Sequence, residues 1–406
     1  MANFSHESVF EAACEAGEIP GAVLVAADAT GKFKYAKAFG KTAHGETLSV
    51  DSVMWIASCT KLMTAVAVLQ QVERGRIGLD EDVLKVLPEL AALKVLKDFD
   101  EEGKPVYEER QGPITLRHIL THTSGLSMPA FCPKLAQLEQ FTGPRATLPK
   151  TIVDEYTYPL AFQPGTAWTY GTGYDWAGQL VERLSGLPLE AYMRAHIWDP
   201  LHMQAISFWP AAHPAMQARR VGTSLKDERG ALVPSKEGPA YMYDEHARTD
   251  AYGGGGAWAS ADAFLPLLQS LCANDGRVLA PATADELFRP QLNPAAQHSF
   301  NEQLRTVDLA RRVYANSFDV DRQVMDYGLG GEIGTKDEEE GGRRRAGTMS
   351  WGGLPNLIWW VDRAAGLCGA LFTGLVPVGD VRVSGLEAVF ERAVYERYEE
   401  LKRQGL

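Results

Sequence analysis

The most continuous apolar segment of the chain, Leu62–Val72, has hydrophobic side chains on almost every side of the helix that it predicts. Such a helix is typical of a protein interior. Gly75 suits the position just after its C-terminus, and the segment WIASCTK (55–61) leads into its first turn. The pattern therefore places Ser58 near the start of a buried helix and Lys61 one turn later, on the same face.

Toward both ends of the chain the pattern changes to short strands. The segments 21–28 (GAVLVAAD) and 34–39 predict a hairpin. Late strands are predicted at 327–333, 348–353, 356–361 and 368–375, before a terminal helix over 383–402. The links between these strands are of hairpin length, which favours antiparallel pairing. We therefore expect an α+β fold in which one antiparallel sheet is built from both termini and is flanked by helices.

The segment between these strands is predicted to be an inserted, mainly helical lobe. Its clearest helices are 115–120, 174–184, 189–196 and the segment from Ser260 to Leu271. We expect a single domain over 1–406, with a sheet lobe from about 1–57 and 325–406 and a helical lobe over about 58–324.

Several segments are predicted to be irregular. Residues 98–113 are charged and loop-like, and the long excursions 128–160 and 207–250 are expected to shape a pocket. The run 336–345 (KDEEEGGRRR) predicts a solvated hairpin tip. The four glycines 253–256 lack the GxxxxGK[ST] pattern of a phosphate cradle, so we interpret them as a flexible structural loop.

Composition narrows the range of partners. The chain has 406 residues and a formal net charge of -12, which argues against nucleic acid and anionic membranes. Its 5 cysteines lack CxxC spacing and indicate reduced thiols. The first residues lack the features of a secretory signal, and no apolar run reaches membrane-spanning length. These features predict a cytoplasmic enzyme.

Three short motifs could carry chemistry. A serine hydroxyl needs a neighbouring base before it becomes a good nucleophile, and an ammonium with a helix N-terminus favours an anion on oxygen. Ser58 and Lys61 fit this chemistry, although a capping serine and a solvated lysine would give the same pattern. Tyr170 lies in PGTAWTYGT (164–172), just before a packed helix, and SWGGLPN (350–356) puts glycines in a core strand, where a ligand can approach the backbone.

Together and in this order, the motifs resemble those of the serine β-lactamase/penicillin-binding-protein superfamily. Within it the chain most resembles the class C-like branch and its fungal polyketide acyltransferases of the lovastatin type, from about Val9 to Tyr398. Supporting stretches are IPGAV (19–23), ITLRHILTHTSGL (114–126), YDWAG (174–178), YGLGG (327–331) and GLPN (353–356). The resemblance implies a β-lactamase/transpeptidase-like fold.

The resemblance also implies a role for each motif residue. Ser58 would be the nucleophile that forms an acyl-enzyme. Tyr170 would be the general base, held as a phenolate or strongly hydrogen-bonded by Lys61, because a tyrosine in water ionises well above neutral pH. The backbone N–H groups of Ser58 and Leu354 would form an oxyanion hole. Substrate-binding positions would be Trp351, Gly352 and Gly353.

Two positions depart from the β-lactamase pattern. Thr172 stands where β-lactamases have asparagine, and Trp351 stands where they usually have lysine. The side chains replaced at these positions help to bind the amide and carboxylate of a β-lactam. We therefore expect neither β-lactamase nor peptidoglycan activity.

The predicted function is transfer of an acyl group, through Ser58, from a thioester or ester donor to a hydroxyl of a small molecule, without metal or cofactor. The resemblance suggests a polyketide-synthase acyl carrier domain as one donor, and a polyketide alcohol as acceptor. A carboxylesterase with the same residues is the main alternative. A non-catalytic binding or scaffold protein is a more remote one.

Other reactive residues have structural interpretations. His118 and His122 have metal-ligand spacing, but no third ligand is evident, so a structural role is favoured. Neighbouring helix residues point about 100° apart, so Cys59 should face away from Ser58 and pack as a small apolar side chain. The pair Trp359–Trp360 predicts sheet packing.

Overall fold

One large β-sheet with helices on both faces organises the chain. The computed structural model describes residues 6–143, 149–235, 248–315, 318–338 and 342–405. The α-helices of these ranges are α1 (Glu7–Glu15), α2 (Thr60–Glu73), α3 (Leu116–Leu120), α4 (Pro133–Thr142), α5 (Ile152–Tyr156), α6 (Gly173–Ser185), α7 (Leu189–Met193), α8 (Pro214–Gln217), α9 (Ala261–Ala273), α10 (Pro281–Phe288), α11 (Pro294–Thr306), α12 (Asp308–Tyr314) and α13 (Val381–Arg403).

The strands of the same ranges are mostly short. They are β1 (Gly21–Asp28), β2 (Lys34–Gly40), β3 (Met54–Trp55), β4 (Val95–Phe99), β5 (Pro105–Glu108), β6 (Ile206–Ser207), β7 (Ser224–Lys226), β8 (Leu232–Pro234), β9 (Trp258–Ala259), β10 (Asp326–Tyr327), β11 (Glu332–Ile333), β12 (Met349–Gly353), β13 (Leu357–Asp362), β14 (Leu367–Phe372) and β15 (Leu375–Val376).

The main sheet joins the two ends of the chain. Its strand order is β10-β11-β12-β13-β14-β1-β2, and each neighbouring pair is antiparallel. Within this sheet the N-terminal strands meet the C-terminal strands at the β1–β14 pair, in which Val23 lies opposite Phe372. The predicted α+β fold with an antiparallel sheet flanked by helices is confirmed. The division into a sheet lobe and a helical lobe stays a prediction.

Strand β1 is buried along its whole length and apolar up to Ala27, because both faces of the sheet are covered. Side chains alternate between the two faces of a strand. Val23 and Val25 therefore enter the core shared with α2 and α9, whereas Leu24 enters the core shared with α1 and α13. Burial on both sides explains why this sequence lacks the apolar–polar alternation of a half-exposed strand.

The segments predicted as irregular contain more regular structure than expected. Residues 98–113 hold part of the β4–β5 hairpin, and the excursion 128–160 holds α4 and α5. The excursion 207–250 contributes the β7–β8 hairpin, and residues 236–247 lie outside the described ranges. No described helix is long and apolar enough to cross a membrane.

In the charged run 336–345, two of the three arginines are not solvated as predicted. Arg343 and Arg344 are buried, and the Arg344 side chain has no exposed surface. Arg344 Nη2 lies 2.6 Å from a Glu391 oxygen and 2.7 Å from a Glu387 oxygen, both on α13. The sequence prediction was wrong here because the carboxylates that neutralise Arg344 lie more than 40 residues later in the chain.

The buried ion pairs make a stability prediction. Arg344→Ala should lower the free energy of unfolding by about 3–5 kcal/mol, because it removes the buried cation that Glu387 and Glu391 share. Chemical denaturation would measure the change. Arg345→Ala is the matched control, since Arg345 is half exposed beside Asp337 and should change the value by no more than about 1 kcal/mol. Equal effects from both substitutions would contradict this account of the cluster.

Candidate active site

Ser58 lies in a tight turn that is held from two sides. A 3-10 turn spans Ala57–Cys59 and runs directly into α2. Ala57 has φ of 45°, a conformation that costs a non-glycine residue free energy and therefore needs support from its surroundings. Thr60 supplies that support: its Oγ1 donates to the Ala57 carbonyl at 2.6 Å and accepts from Ala257 N–H at 3.2 Å.

Three side chains predicted from two separate motifs meet at the Ser58 hydroxyl. Ser58 Oγ lies 2.6 Å from the hydroxyl oxygen of Tyr170. Lys61 Nζ donates to Ser58 Oγ at 3.2 Å and to the Gly254 carbonyl at 2.5 Å. Lys61 is only 3% exposed, and its ammonium has two oxygen acceptors.

Lys61 contacts the tyrosine through its ring. The ammonium lies 4.7 Å from the centroid of the Tyr170 ring, a cation–π distance. The hydrogen bonds of the described chain do not include one from Lys61 to the Tyr170 oxygen. The resemblance implied such a bond, and the structure instead links the two residues through Ser58 and through the ring face.

Tyr170 is positioned by a packed aromatic group and by its own backbone. Its carbonyl accepts from Ser127 Oγ at 2.8 Å. Its ring lies 4.8 Å from His122 and 4.7 Å from Phe131, centroid to centroid. A further ring, Trp351, lies at 5.8 Å. These contacts leave the hydroxyl little freedom to leave Ser58.

His122 is a structural residue beneath this group. Its ring is surrounded by Tyr170, Tyr174 and Tyr327 at 4.8–5.4 Å. Burial, together with the charge of Lys61, holds the pKa of His122 well below its usual value. The neutral ring packs as an aromatic side chain. His118 serves the N-terminus of α3, where its Nδ1 accepts from Thr115 N–H at 3.4 Å. No cluster suited to a metal ion occurs in the described ranges.

The third motif brings β12 against the serine turn. A Cβ atom at Gly353 would lie 2.5 Å from the Ile56 carbonyl, so only glycine allows this approach. The next residue, Leu354, has a backbone N–H without an acceptor among the described residues. Ser58 lies in the first turn of its helix, where N–H groups have no intrahelical acceptor. Both N–H groups are thus available at the predicted oxyanion positions.

The four-glycine segment is a buried connector and not a flexible loop. Glycines 253–256 are all buried. Thr64 Oγ1 donates to the Gly253 carbonyl at 2.7 Å, and Trp55 Nε1 donates to the Gly255 carbonyl at 2.7 Å. With the bond from Lys61 to Gly254, three successive carbonyls are fixed by the polypeptide around Ser58. The predicted structural role holds, but the predicted flexibility was wrong.

A pocket of about 650 Å³, its solvent-open mouth included, lies over this group. All the residues predicted for substrate binding or an oxyanion hole line it, namely Ser58, Trp351, Gly352, Gly353 and Leu354, and so does Tyr170. Of the two excursions, the first contributes Phe131, and the described part of the second contributes no lining residue. Trp351 stacks on Tyr314, with ring centroids 5.7 Å apart and planes 4° apart.

Sequence reasoning missed the opposite wall of the pocket. This wall consists of Arg312, Val313 and Tyr314 from α12, and of Val378, Gly379 and Ser384 after β15. Neither segment has a recognisable motif, since only the fold brings them to Ser58. Arg312 directly follows Arg311 in α12, and nothing in the sequence distinguishes it from an ordinary surface charge.

The arrangement supplies the parts needed for acyl transfer. The serine oxygen has a phenol oxygen within reach of its proton and accepts from a buried ammonium, which also lies over the phenol ring. Ser58 and Leu354, whose backbone N–H groups are the predicted donors, line the same pocket. Such donors stabilise the negative oxygen of a tetrahedral intermediate. Cys59, in contrast, is buried in the core, and burial raises the pKa of its thiol. This excludes Cys59 as a competing nucleophile.

Comparison with known proteins agrees with this geometry. Residues 7–393 match the Beta-lactamase protein family. The chain is 36% identical to a lovastatin esterase of Penicillium rubens, over 98% of this chain and 100% of that protein. It is 34% identical to a monacolin J acid methylbutanoyltransferase of Aspergillus terreus, over 97% and 96%. The solved structure of a simvastatin synthase mutant from Aspergillus terreus superposes with a TM-score of 0.89 at 36% identity, covering 97% of this chain and 95% of that one.

The close approach at Gly353 makes a testable prediction. Gly353→Ala should lower the free energy of unfolding by about 1–3 kcal/mol, because the new methyl group forces β12 away from the Ile56 carbonyl. Gly385→Ala is the control, since a Cβ at Gly385 meets no atom within 4 Å in helix α13. That substitution should raise the value by about 0.5–1 kcal/mol. Denaturation curves in which Gly353→Ala is neutral would refute the steric account.

Proposed function

Because the chain belongs to the Beta-lactamase family and is a serine enzyme of that type, we propose that it is an acyltransferase. It moves an acyl group from a thioester or ester donor to a hydroxyl of a small molecule. The observation that carries the proposal is the convergence of Tyr170 and Lys61 on Ser58 Oγ, at 2.6 and 3.2 Å, at the base of a pocket.

The first half of the reaction forms an acyl-enzyme. Ser58 Oγ attacks the donor carbonyl while its proton passes to the Tyr170 oxygen, which acts as general base in its phenolate form. Lys61 stabilises that phenolate by its charge. The backbone N–H groups of Ser58 and Leu354 donate to the oxyanion of the intermediate. The intermediate then collapses, and the departing thiol or alcohol takes the proton from Tyr170.

The second half runs the same steps in reverse order. The acceptor hydroxyl enters the space left by the first product and gives its proton to Tyr170 while its oxygen attacks the acyl carbonyl. Ser58 Oγ leaves and recovers the proton. One base therefore serves both halves, and the two substrates use the site in turn, which gives ping-pong kinetics.

The choice between transfer and hydrolysis depends on water. Aromatic rings from Phe131, Tyr314 and Trp351 line the pocket, and apolar walls of this kind disfavour water beside the acyl group. These walls support transfer. The carboxylesterase remains the second candidate, because one of the relatives reported above is an esterase. The non-catalytic scaffold does not fit a chain whose relatives are enzymes.

The pocket also suggests the class of acceptor. Within the described residues, Arg312 is the charged side chain that lines it. Its carboxylate partner, Asp308, is four residues away on the same helix at 3.0 Å, and both side chains are well exposed. Such a pair holds little free energy, so the guanidinium can turn to a substrate. The relative from Aspergillus terreus is named for an acid, monacolin J acid. We propose an acceptor with a carboxylate.

The same proposal includes the donor and the setting. A polyketide-synthase acyl carrier domain would present the donor as a thioester, whose thiol is a good leaving group for Ser58. The five cysteines are free thiols, as expected in a reducing compartment. This supports a reaction in the cytoplasm, within secondary metabolism.

The covalent mechanism predicts a mass change. Wild-type protein mixed with short acyl thioesters should gain one acyl mass, and Ser58→Ala should gain none. Tyr170→Phe keeps the ring contacts but loses the proton acceptor, so its acylation should be about 100-fold to 10,000-fold slower. Intact-protein mass spectrometry over time measures both results.

The lifetime of the adduct separates the two candidate enzymes. A long-lived adduct that added alcohols discharge indicates a transferase, whereas rapid loss to water indicates the esterase. An acyl mass that persists in Ser58→Ala, or no adduct and no turnover with any ester or thioester, would reject the assignment of Ser58.

The proposed role of Arg312 predicts a selective loss. Arg312→Ala should raise KM for an acceptor alcohol with a carboxylate about tenfold, the usual effect of one lost hydrogen bond to a charged group. KM for the methyl ester of the same acceptor should not change. Arg311→Ala is the matched control, because Arg311 lies on the same helix and pairs with Asp321. Equal losses for acid and methyl ester would show that Arg312 does not recognise the carboxylate.

A further inference from the structure

One buried carboxylate near the site has no part in the mechanism above. Asp175 lies in the first turn of α6 and is buried. Its Oδ1 accepts from the backbone N–H of Gly254 at 2.8 Å. The carbonyl of that same residue accepts from Lys61 Nζ at 2.5 Å. Gly254 thus connects the carboxylate to the ammonium beside Ser58.

The Asp175 carboxylate lies so close to the Gly254 backbone that no side chain fits at residue 254. A Cβ atom at Gly254 would lie 2.5 Å from Asp175 Oδ2 and 2.9 Å from both Cγ and Oδ1. The carboxylate therefore packs directly on the Gly254 backbone and restrains the position of its Cα, from which the Gly254 carbonyl extends toward Lys61. The bonds at Gly253 and Gly255, described above, fix the chain on either side.

We propose that Asp175 is a positioning residue, which holds Lys61 beside Ser58 through Gly254. The inference rests on the proposed acyl transfer, since the position of Lys61 matters only if Ser58 and Tyr170 exchange a proton. The Asp175 carboxylate has two roles in this proposal. It orients the Gly254 carbonyl that accepts from Lys61, and it places a negative charge near the buried ammonium.

The charges around Asp175 make its ionised form sensitive to pH. Lys61 on α2 and Arg248, just before the glycine segment, favour the carboxylate, whereas Glu155 on α5 opposes it. Tyr252 of the same segment donates to Glu155 at 2.7 Å. Burial outweighs the favourable charges and raises the pKa of Asp175 to about 6. The carboxylate is therefore ionised at neutral pH and becomes protonated in mild acid.

The raised pKa of Asp175 also means that its ionised carboxylate lowers the stability of the folded state. In the unfolded chain the carboxyl ionises near 3.8, and in the folded chain near 6. The folded state therefore binds more protons between these values, so its stability decreases as pH rises through this window. A carboxylate that served only to stabilise the fold would instead make stability increase as pH rises through its pKa.

The test compares Asp175→Asn with the wild-type protein. Asparagine keeps an oxygen that can accept from Gly254 N–H but has no charge. Glu182→Gln is the matched control: Glu182 lies on the same helix, also has a pKa raised by burial, and accepts from Leu189 N–H at 2.7 Å, away from Lys61. Single-turnover acylation by a thioester is measured from pH 4 to 9, together with thermal unfolding.

Asp175→Asn should slow acylation about tenfold at neutral pH, the effect of one weakened hydrogen bond to a charged group, with little change in KM. The acylation rate of the wild-type protein should fall as pH drops through about 6. The rate of the Asp175→Asn variant should not show this fall. The variant should also gain stability relative to wild type as pH rises through the same range. Glu182→Gln should keep the wild-type acylation rate and its fall near pH 6.

Other results would overturn the inference. Wild-type rates and an unchanged step in Asp175→Asn would show that the charge does not act on Lys61. Failure of this variant to fold would contradict the predicted gain in stability. Absence of any acyl adduct on wild-type protein would instead reject the proposed function, which separates the two failures.

Discussion

The structure around Ser58 depends on one buried charge, the Lys61 ammonium. A charged amine inside a protein is costly unless it has hydrogen-bond acceptors and an opposite charge nearby. Ser58 Oγ and the Gly254 carbonyl supply the acceptors, and the face of Tyr170 supplies a further favourable contact. Two of the residues that contact Lys61, Ser58 and Tyr170, are thus the ones that exchange a proton in the proposed acyl transfer.

The sheet brings these parts together from distant places in the sequence. The serine turn precedes α2, Tyr170 precedes α6, and the Leu354 N–H follows β12. The packing of β12 on the Ile56 carbonyl, possible because residue 353 is glycine, brings Leu354 into the pocket that Ser58 also lines. The fold therefore places Leu354 where the proposed second donor of the oxyanion hole is needed.

Local patterns in the sequence were enough for most strands of the main sheet and for the candidate side chains Ser58, Lys61 and Tyr170. The unbroken apolar segment of β1 follows from burial on both faces, and the motifs around Ser58 and Tyr170 lie at helix starts that their sequences predict. Features that depend on distant partners could not be predicted. Arg344 looks like a surface charge until Glu387 and Glu391 are placed beside it. The glycines 253–256 look flexible until α2 fixes their carbonyls.

The central claim is that Ser58 and Leu354 bind a carbonyl oxygen above a nucleophile served by Tyr170. A crystal structure of the protein acylated by a slowly transferred donor tests it most directly. The account predicts density for the acyl group on Ser58 Oγ, with its carbonyl oxygen about 2.7–3.1 Å from both backbone nitrogens. An acyl group on another residue, or a carbonyl oxygen turned toward Lys61 and away from Leu354, would contradict it.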